Sequence, residues 1–321
     1  MGDFDKNIDK FQELIENGVN LNVPNKEDEE ERTVLHLAVE NGHFSVVELL
    51  VKNGADLNCS NIYGETPSHL ATDKGNLPIL KILIENGADL NLADNGGETA
   101  LIHAARHGQF EIAKLVVEKG ANLNSKNQHG WTALHWAVFN GHQELVGILL
   151  KNGVDLSCTS NNGQNSLHLA AFQGHTAIVK MLVENKAEIN CQSNSGESAL
   201  HLAASRGQQE AVDCLIQSGA NLNVKNNSGD VPIAKAAYMG HTGVVDLLLK
   251  NGANVNEGNN HGWTALHLAA LNNKIETVEF LTRNGANLNS IDIFNETPLR
   301  KAAARGHFEI VKFLEQNGVQ K

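Results

Sequence analysis

The chain has 321 residues, 41% of them apolar and only 5% aromatic, with a formal charge of −12. That surplus of carboxylates argues against non-specific nucleic-acid binding, which needs clustered Lys and Arg to displace the counterions of phosphates. No apolar run reaches the ~18 residues of a membrane-spanning helix. The start of the chain carries Asp3 and Asp5 rather than a signal-peptide core, and Lys6 stands where a myristoylation signal wants Ser or Thr. A cytoplasmic or nuclear protein without membrane insertion is expected.

The first element in chain order is a half unit, Ile8 to Asn22, with one helix. Glu27-Asp28-Glu29-Glu30-Glu31 follows, the densest charge block of the chain; it reads as a solvated loop, or more sharply as a docking site for a basic peptide. At Thr33-Val34-Leu35-His36-Leu37-Ala38 a signature begins that returns every 33 residues, at Thr66, Thr99, Thr132, Asn165, Ser198, Val231, Thr264 and Thr297. A second motif of the Gly-Ala-Asp-Leu-Asn type keeps the same step, at Gly54, Gly87, Gly120, Gly153, Gly219, Gly252 and Gly285. The capping Thr or Ser, with Pro67 or Pro298 after it, predicts a helix start, and Gly42 and its equivalents predict a left-handed stop. Val46, Val47, Leu49 and Leu50 predict the apolar face of a second helix. A polar stretch such as Asn61-Ile62-Tyr63-Gly64 then turns the chain into the next unit.

The period and the signature resemble the ankyrin repeat over nearly the whole chain. The resemblance implies an all-α fold: an ankyrin-repeat solenoid of stacked helix-turn-helix units joined by β-hairpin-like loops. Each unit would contact only its neighbours, giving one domain over 1–321. Residues 1–32 would form the N-terminal half repeat and acidic linker, 33–296 eight repeats, and 297–321 the last repeat, in the capping position. Three departures stand out. Lys186 replaces the Gly that ends a second helix. Repeat seven, Val231-Pro232-Ile233-Ala234, lacks both the capping hydroxyl and the His, and should be the weakest interior repeat. Ile310, Val311, Phe313 and Leu314 stop without a polar cap, so either the ends are imperfectly capped or the chain is a piece of a longer protein.

Fifteen histidines invite a metal or catalytic reading. Six of them, His36, His69, His135, His168, His201 and His267, share one repeat position, so their rings should lie roughly 10 Å apart, too far to share an ion whose ligands sit ~2 Å from it. Each should instead hydrogen-bond an adjacent loop. Cys59, Cys158, Cys191 and Cys214 read as free thiols. No phosphate loop, no nucleophile elbow and no irregular polar cluster is evident, so neither an enzyme nor a cofactor or metal site is expected. Asn58 and Asn91 look like ankyrin sites of an asparaginyl hydroxylase, although each side chain is more simply expected to tie its own turn to the backbone.

Ankyrin proteins bind partners on hairpin tips and first-helix faces, the concave side. Two positions there fall outside the signature, one residue before the capping position and seven after it. They carry charged residues in the early repeats, then Trp131, Phe139 and Phe172 in repeats four and five. Tyr238, the adjacent Met239, Trp263 and Leu271 follow in repeats seven and eight. Aromatic residues that the fold does not require are the natural anchors of an interface. Arg106 and Arg206 would pair with acidic groups of the ligand, and Ser205-Arg206 would form a polar waist between two apolar pockets. Trp136, where other repeats have Leu, is expected to be packed. The function expected is a monomeric protein-interaction scaffold for a protein or peptide ligand. The alternatives are the repeat region of a larger effector, adaptor or channel, and an elastic spacer.

Overall fold

A computed structural model describes residues 8–25 and 28–318. Met1 to Asn7, Lys26, Glu27 and Val319 to Lys321 lie outside the described residues, and with them the acidic start of the chain and the first Glu of the acidic run. Nineteen helices are present among the described residues, and the extended pairing there is confined to two isolated antiparallel bridges, Ala93–Thr99 and Gln192–Ser198. The chain is an all-α ankyrin solenoid. It divides into two compact units, Met1–Cys158 and Thr159–Lys321.

Each repeat is built as its sequence dictates. In repeat one, Thr33 adopts an extended backbone and caps the helix Val34–Glu40; its hydroxyl accepts from the amide of His36, and the His36 ring reaches back to the cap. Gly42 turns the chain at φ 70° into Phe44–Lys52, whose Val46, Val47 and Leu50 are buried against Leu35, Ala38 and Val39. Pro67, Pro232 and Pro298 occupy first helical turns, where a missing N–H costs nothing. Lys186 takes the left-handed conformation of the glycine it replaces, at φ 69°, which costs roughly 1 kcal/mol. The helix of repeat seven starts at Val231 with no side-chain cap.

Within each unit, first helices pack on first helices of the next repeat, and second helices on second helices. Ile8–Glu16 packs on Phe44–Lys52, so it stands as the second helix of a half repeat. The loops close as tight hairpins: Asn61 N–H donates to Glu65 O at 3.0 Å, and Asp94, Asn127, Ser193, Asn226, Asn259 and Asp292 repeat the bond.

Two ladders tie one repeat to the next inside each unit. At the hairpin tips, the side-chain amides of Asn95, Asn194, Asn227 and Asn260 donate to carbonyls of the preceding hairpin at 2.8–2.9 Å. At the second-helix ends, Asn58 Oδ1 accepts from the Asp89 amide at 2.9 Å and Asn91 Oδ1 from the Asn122 amide at 2.8 Å; Asn124, Asn190, Asn223 and Asn256 do the same. Asn22 joins this ladder by accepting from Asp56 at 2.8 Å, so the longer acidic linker preserves the bond. Within that linker Asp28 accepts from the Arg32 guanidinium at 2.8 and 3.0 Å, which holds the carboxyl down at about 2. Part of the acidic run is therefore neutralised by its own arginine.

Candidate binding surface

The signature histidines are structural. The Thr33 amide donates to His36 Nδ1 at 3.1 Å, and His36 Nε2 lies 3.1 Å from the Glu65 carbonyl of the next repeat. A backbone N–H can only donate and a carbonyl can only accept, so Nδ1 is bare and the proton sits on Nε2. The same pair of bonds occurs at His69, His168, His201 and His267. Burial pushes all five pKa values down, that of His69 to about 4. They are neutral struts between repeats.

Repeat three breaks the pattern. Ile102 fills the signature position, and His103 comes one residue later, where other repeats carry Leu37, Leu70 or Trp136. His103 is 2% exposed, with Nδ1 2.6 Å from Asp73 and Nε2 3.1 Å from Asp94. Burial opposes a charge on the ring, but the hydrogen bonds to the two carboxylates outweigh it and raise the pKa to about 9. Buried Glu98 completes the cluster, its Oε2 2.6 Å from Arg106 and its Oε1 accepting from Asn127 at 3.0 Å.

Asp94, Glu98 and His103 bring ligand-type atoms within 4.8 Å of one another, so they could in principle hold a metal. Repeat nine argues for a simpler arrangement. Lys301 stands at the place equivalent to His103 and pairs with Asp292, at 2.7 Å, and with Glu296, the equivalents of Asp94 and Glu98. A cation of the protein itself fills the seat in both repeats; in repeat three it is the imidazolium. An irregular polar cluster, which the sequence was expected to lack, is thus present in repeat three. Its signals were a histidine one residue out of register and an Asp where neighbouring hairpins carry Asn.

The anchors expected in the N-terminal unit are drawn into this fabric. Arg106, expected to pair with acidic groups of a ligand, is paired within the protein with Glu98. Trp131, Trp136 and Phe139 form one aromatic cluster, with ring centroids 4.6 Å apart for Trp131–Trp136 and 5.3 Å for Trp131–Phe139. The Arg106 guanidinium lies 5.9 Å from the Trp136 ring centroid. All three rings are partly exposed, and Trp136 belongs with the two expected residues as an equal member.

The C-terminal unit holds a cleft of about 520 Å³ across repeats six to eight. Its walls include Ser205 and Arg206 at the end of Ala199–Arg206, Tyr238 and Met239 at the end of Pro232–Met239, and Trp263 with Leu268. Tyr238 and Met239 are each 45% exposed, although their helix is otherwise well buried. Phe172 lies under Arg206, with the guanidinium carbon 4.0 Å from the ring centroid. Leu271 is half-buried, and Leu268 of the same helix lines the cleft in its place.

Trp263 has a second attachment. Its indole N–H donates to Asp292 at 2.9 Å, and Lys301 Nζ lies 5.1 Å from the ring centroid. Ser205 and Arg206, the expected polar waist, form one edge of this cleft. Lys235, also in the wall, is paired with Glu197 at 2.9 Å.

The sequence matches the family model described as ankyrin repeats (3 copies) in overlapping segments 4–94, 91–160, 149–226, 167–259, 216–292 and 233–321. Comparison with curated proteins finds no match. No helix among the described residues is long and apolar enough to cross a membrane. With the 33-residue stack of capped helix pairs and the family match running from residue 4 to residue 321, the chain belongs to the ankyrin-repeat family.

Proposed function

We propose that the chain is a protein-interaction scaffold that holds a peptide or protein segment on the face formed by its first-helix ends and hairpins, with the cleft of repeats six to eight as the principal site. The observation that carries this reading is the exposure of Tyr238 and Met239 beside Trp263. Large apolar side chains left accessible in a concave, partly polar setting are the usual anchors of an interface. Repeats of this family generally mediate protein–protein contacts. In this reading the chain works as a cytoplasmic monomer and a single domain, it is not an enzyme, and binding needs no cofactor.

The test is a selection of terminally blocked random decapeptides displayed against the full chain. Selected peptides should lose roughly thirtyfold in affinity on a Tyr238→Ala/Met239→Ala variant whose melting temperature is unchanged. Equal binding to that variant, or no selection at all, sinks the assignment.

A further inference from the structure

The cleft contains one cation whose binding capacity the fold leaves unused. Each of its other charged groups has a named partner. Lys235 is paired with Glu197 at 2.9 Å. Asp230 accepts the side-chain amide of Asn259 at 2.8 Å. Arg206 is exposed, and among the described residues it forms no ion pair; its contact is the face of Phe172. Arg106 shows the opposite arrangement, with its guanidinium bonded to buried Glu98 at 2.6 Å.

The way Arg206 is held matters. A guanidinium is a planar fork whose N–H donors all lie in the plane. Stacking on Phe172 occupies one face and steadies the group, but leaves the in-plane donors open. That edge matches the two oxygens of a carboxylate, which it can bind through two parallel hydrogen bonds. A backbone carbonyl or a hydroxyl would satisfy only part of the fork. The protein as a whole carries a charge of −12, so it repels anions at long range. A guanidinium left unpaired in such a field, beside an apolar shelf, selects for a ligand that brings one carboxylate locally, and against one that is acidic throughout.

The cleft runs across three successive repeats, from Ser205 and Arg206 past Tyr238 and Met239 to Trp263 and Leu268. With neighbouring helices about 10 Å apart, the span is roughly 20 Å, the length of about six extended residues. A chain crossing that distance presents its carboxylate from a side chain along its length.

We propose that the cleft recognises an extended peptide segment that seats one Asp or Glu side chain on the edge of Arg206 and, a few residues away, one bulky apolar side chain on Tyr238 and Met239. The proposal rests on the reading of the cleft as the binding site given above, and adds the chemistry of the ligand. The carboxylate fixes register and direction along the cleft, because only one end of the apolar shelf carries the guanidinium.

The experiment uses the same blocked decapeptide selection and continues with synthetic versions of the enriched sequences. The expected result is a shared acidic residue two to five positions from an aromatic or aliphatic one. Changing that acid to its amide should weaken binding to the wild-type chain roughly tenfold. On Arg206→Gln, acid and amide peptides should bind alike. Arg206→Lys should recover only part of the difference, since an ammonium offers no fork.

Enriched peptides without an acid, or an acid-to-amide loss that is the same on wild type and Arg206→Gln, overturn the carboxylate assignment while leaving the cleft as the site. Peptides that bind the Tyr238→Ala/Met239→Ala variant as tightly as wild type remove both. Arg206 is an exposed residue at a helix end, so Arg206→Gln is expected to fold normally. A circular-dichroism melt of the variant that overlays the wild-type curve makes the binding comparison valid.

Discussion

His103 and Lys301 stand six repeats apart at the same place in the 33-residue unit, and each is clamped by an Asp from its own hairpin, Asp94 at 3.1 Å and Asp292 at 2.7 Å. Elsewhere that place mostly holds a leucine, and the hairpin mostly an Asn. In these two repeats the Asp accompanies the buried cation, because a cation buried without its acid, or an acid without its cation, leaves an uncompensated charge; Lys235, a third cation at this place, is less buried and pairs with Glu197 instead. His103→Leu restores the common residue but abandons Asp73 and Asp94. The expected cost is about 3 kcal/mol or more. Urea melts at pH 7, followed by a probe in repeats two to four, would measure it; a change within about 0.5 kcal/mol would show the bridge to be dispensable.

The same bridge sets an alkaline limit. The folded pKa of His103, about 9, lies above the ordinary value of 6.5. Its contribution is therefore fully present below pH 6.5 and is lost as pH rises towards 9, at up to 1.36 kcal/mol per pH unit. Stability of the wild-type chain should decline over that window, and the decline should be shallower in His103→Leu. Parallel profiles for the two proteins would remove His103 as the cause.

The signature histidines act with the opposite sign. Their folded pKa values are depressed, so an unfolded chain takes up protons that the folded one refuses. Their contribution is complete above pH 6.5 and falls as the pH drops; for His69 the loss runs down to about pH 4. Five rings titrating together predict a steep acid limb in a plot of urea midpoint against pH. His69→Gln should flatten part of that limb, and an unchanged slope would contradict the neutral-strut account.

Trp263 separates two roles by its hydrogen bond. Trp263→Phe keeps an apolar wall in the cleft but removes the donor to buried Asp292, so a loss of about 1 kcal/mol in stability is expected, with most of the affinity retained. Trp263→Ala should lose both stability and affinity. Tyr238→Ala, by contrast, should leave stability within about 0.5 kcal/mol and affect binding alone. Thermal melts and peptide titrations on the three variants distinguish these outcomes; a Trp263→Phe protein as stable as wild type would mean that the indole N–H contributes little.

The fold was legible because its signals repeat: the capping residue, the left-handed glycine and the loop Asn recur at one interval, and even the exception at Lys186 adopts the glycine's conformation. The site was less legible, because its residues are defined by neighbours that are not adjacent in sequence. Trp263 and Arg106 stand at positions free of the signature, and sequence alone marks them as available. Their partners, Asp292 and Glu98, also sit at loop positions that vary; the stacking of one hairpin on the next reveals the bond to Asp292, and the fold of Arg106's own repeat reveals the pair with Glu98. His103 was passed over for a related reason. Its place in the repeat is normally a packing position, so a register shift of one residue was needed to recognise it as charged.

The asparagine ladder at the second-helix ends has a consequence for how such a chain can be edited. Asn58 receives the amide of Asp89, Asn91 that of Asn122, and in the other unit Asn223 that of Asn254, always 31 residues ahead. Within a unit, cutting out or splicing in any length other than a whole repeat would misalign donor and acceptor across the join. A whole-repeat excision brings an equivalent amide to the same oxygen. The linker before Thr33 is the tolerant place, since there the partners Asn22 and Asp56 are 34 residues apart and still meet at 2.8 Å. Length variation is thus quantised along each unit's ladder, while the linker before Thr33 absorbs three extra residues without losing its bond.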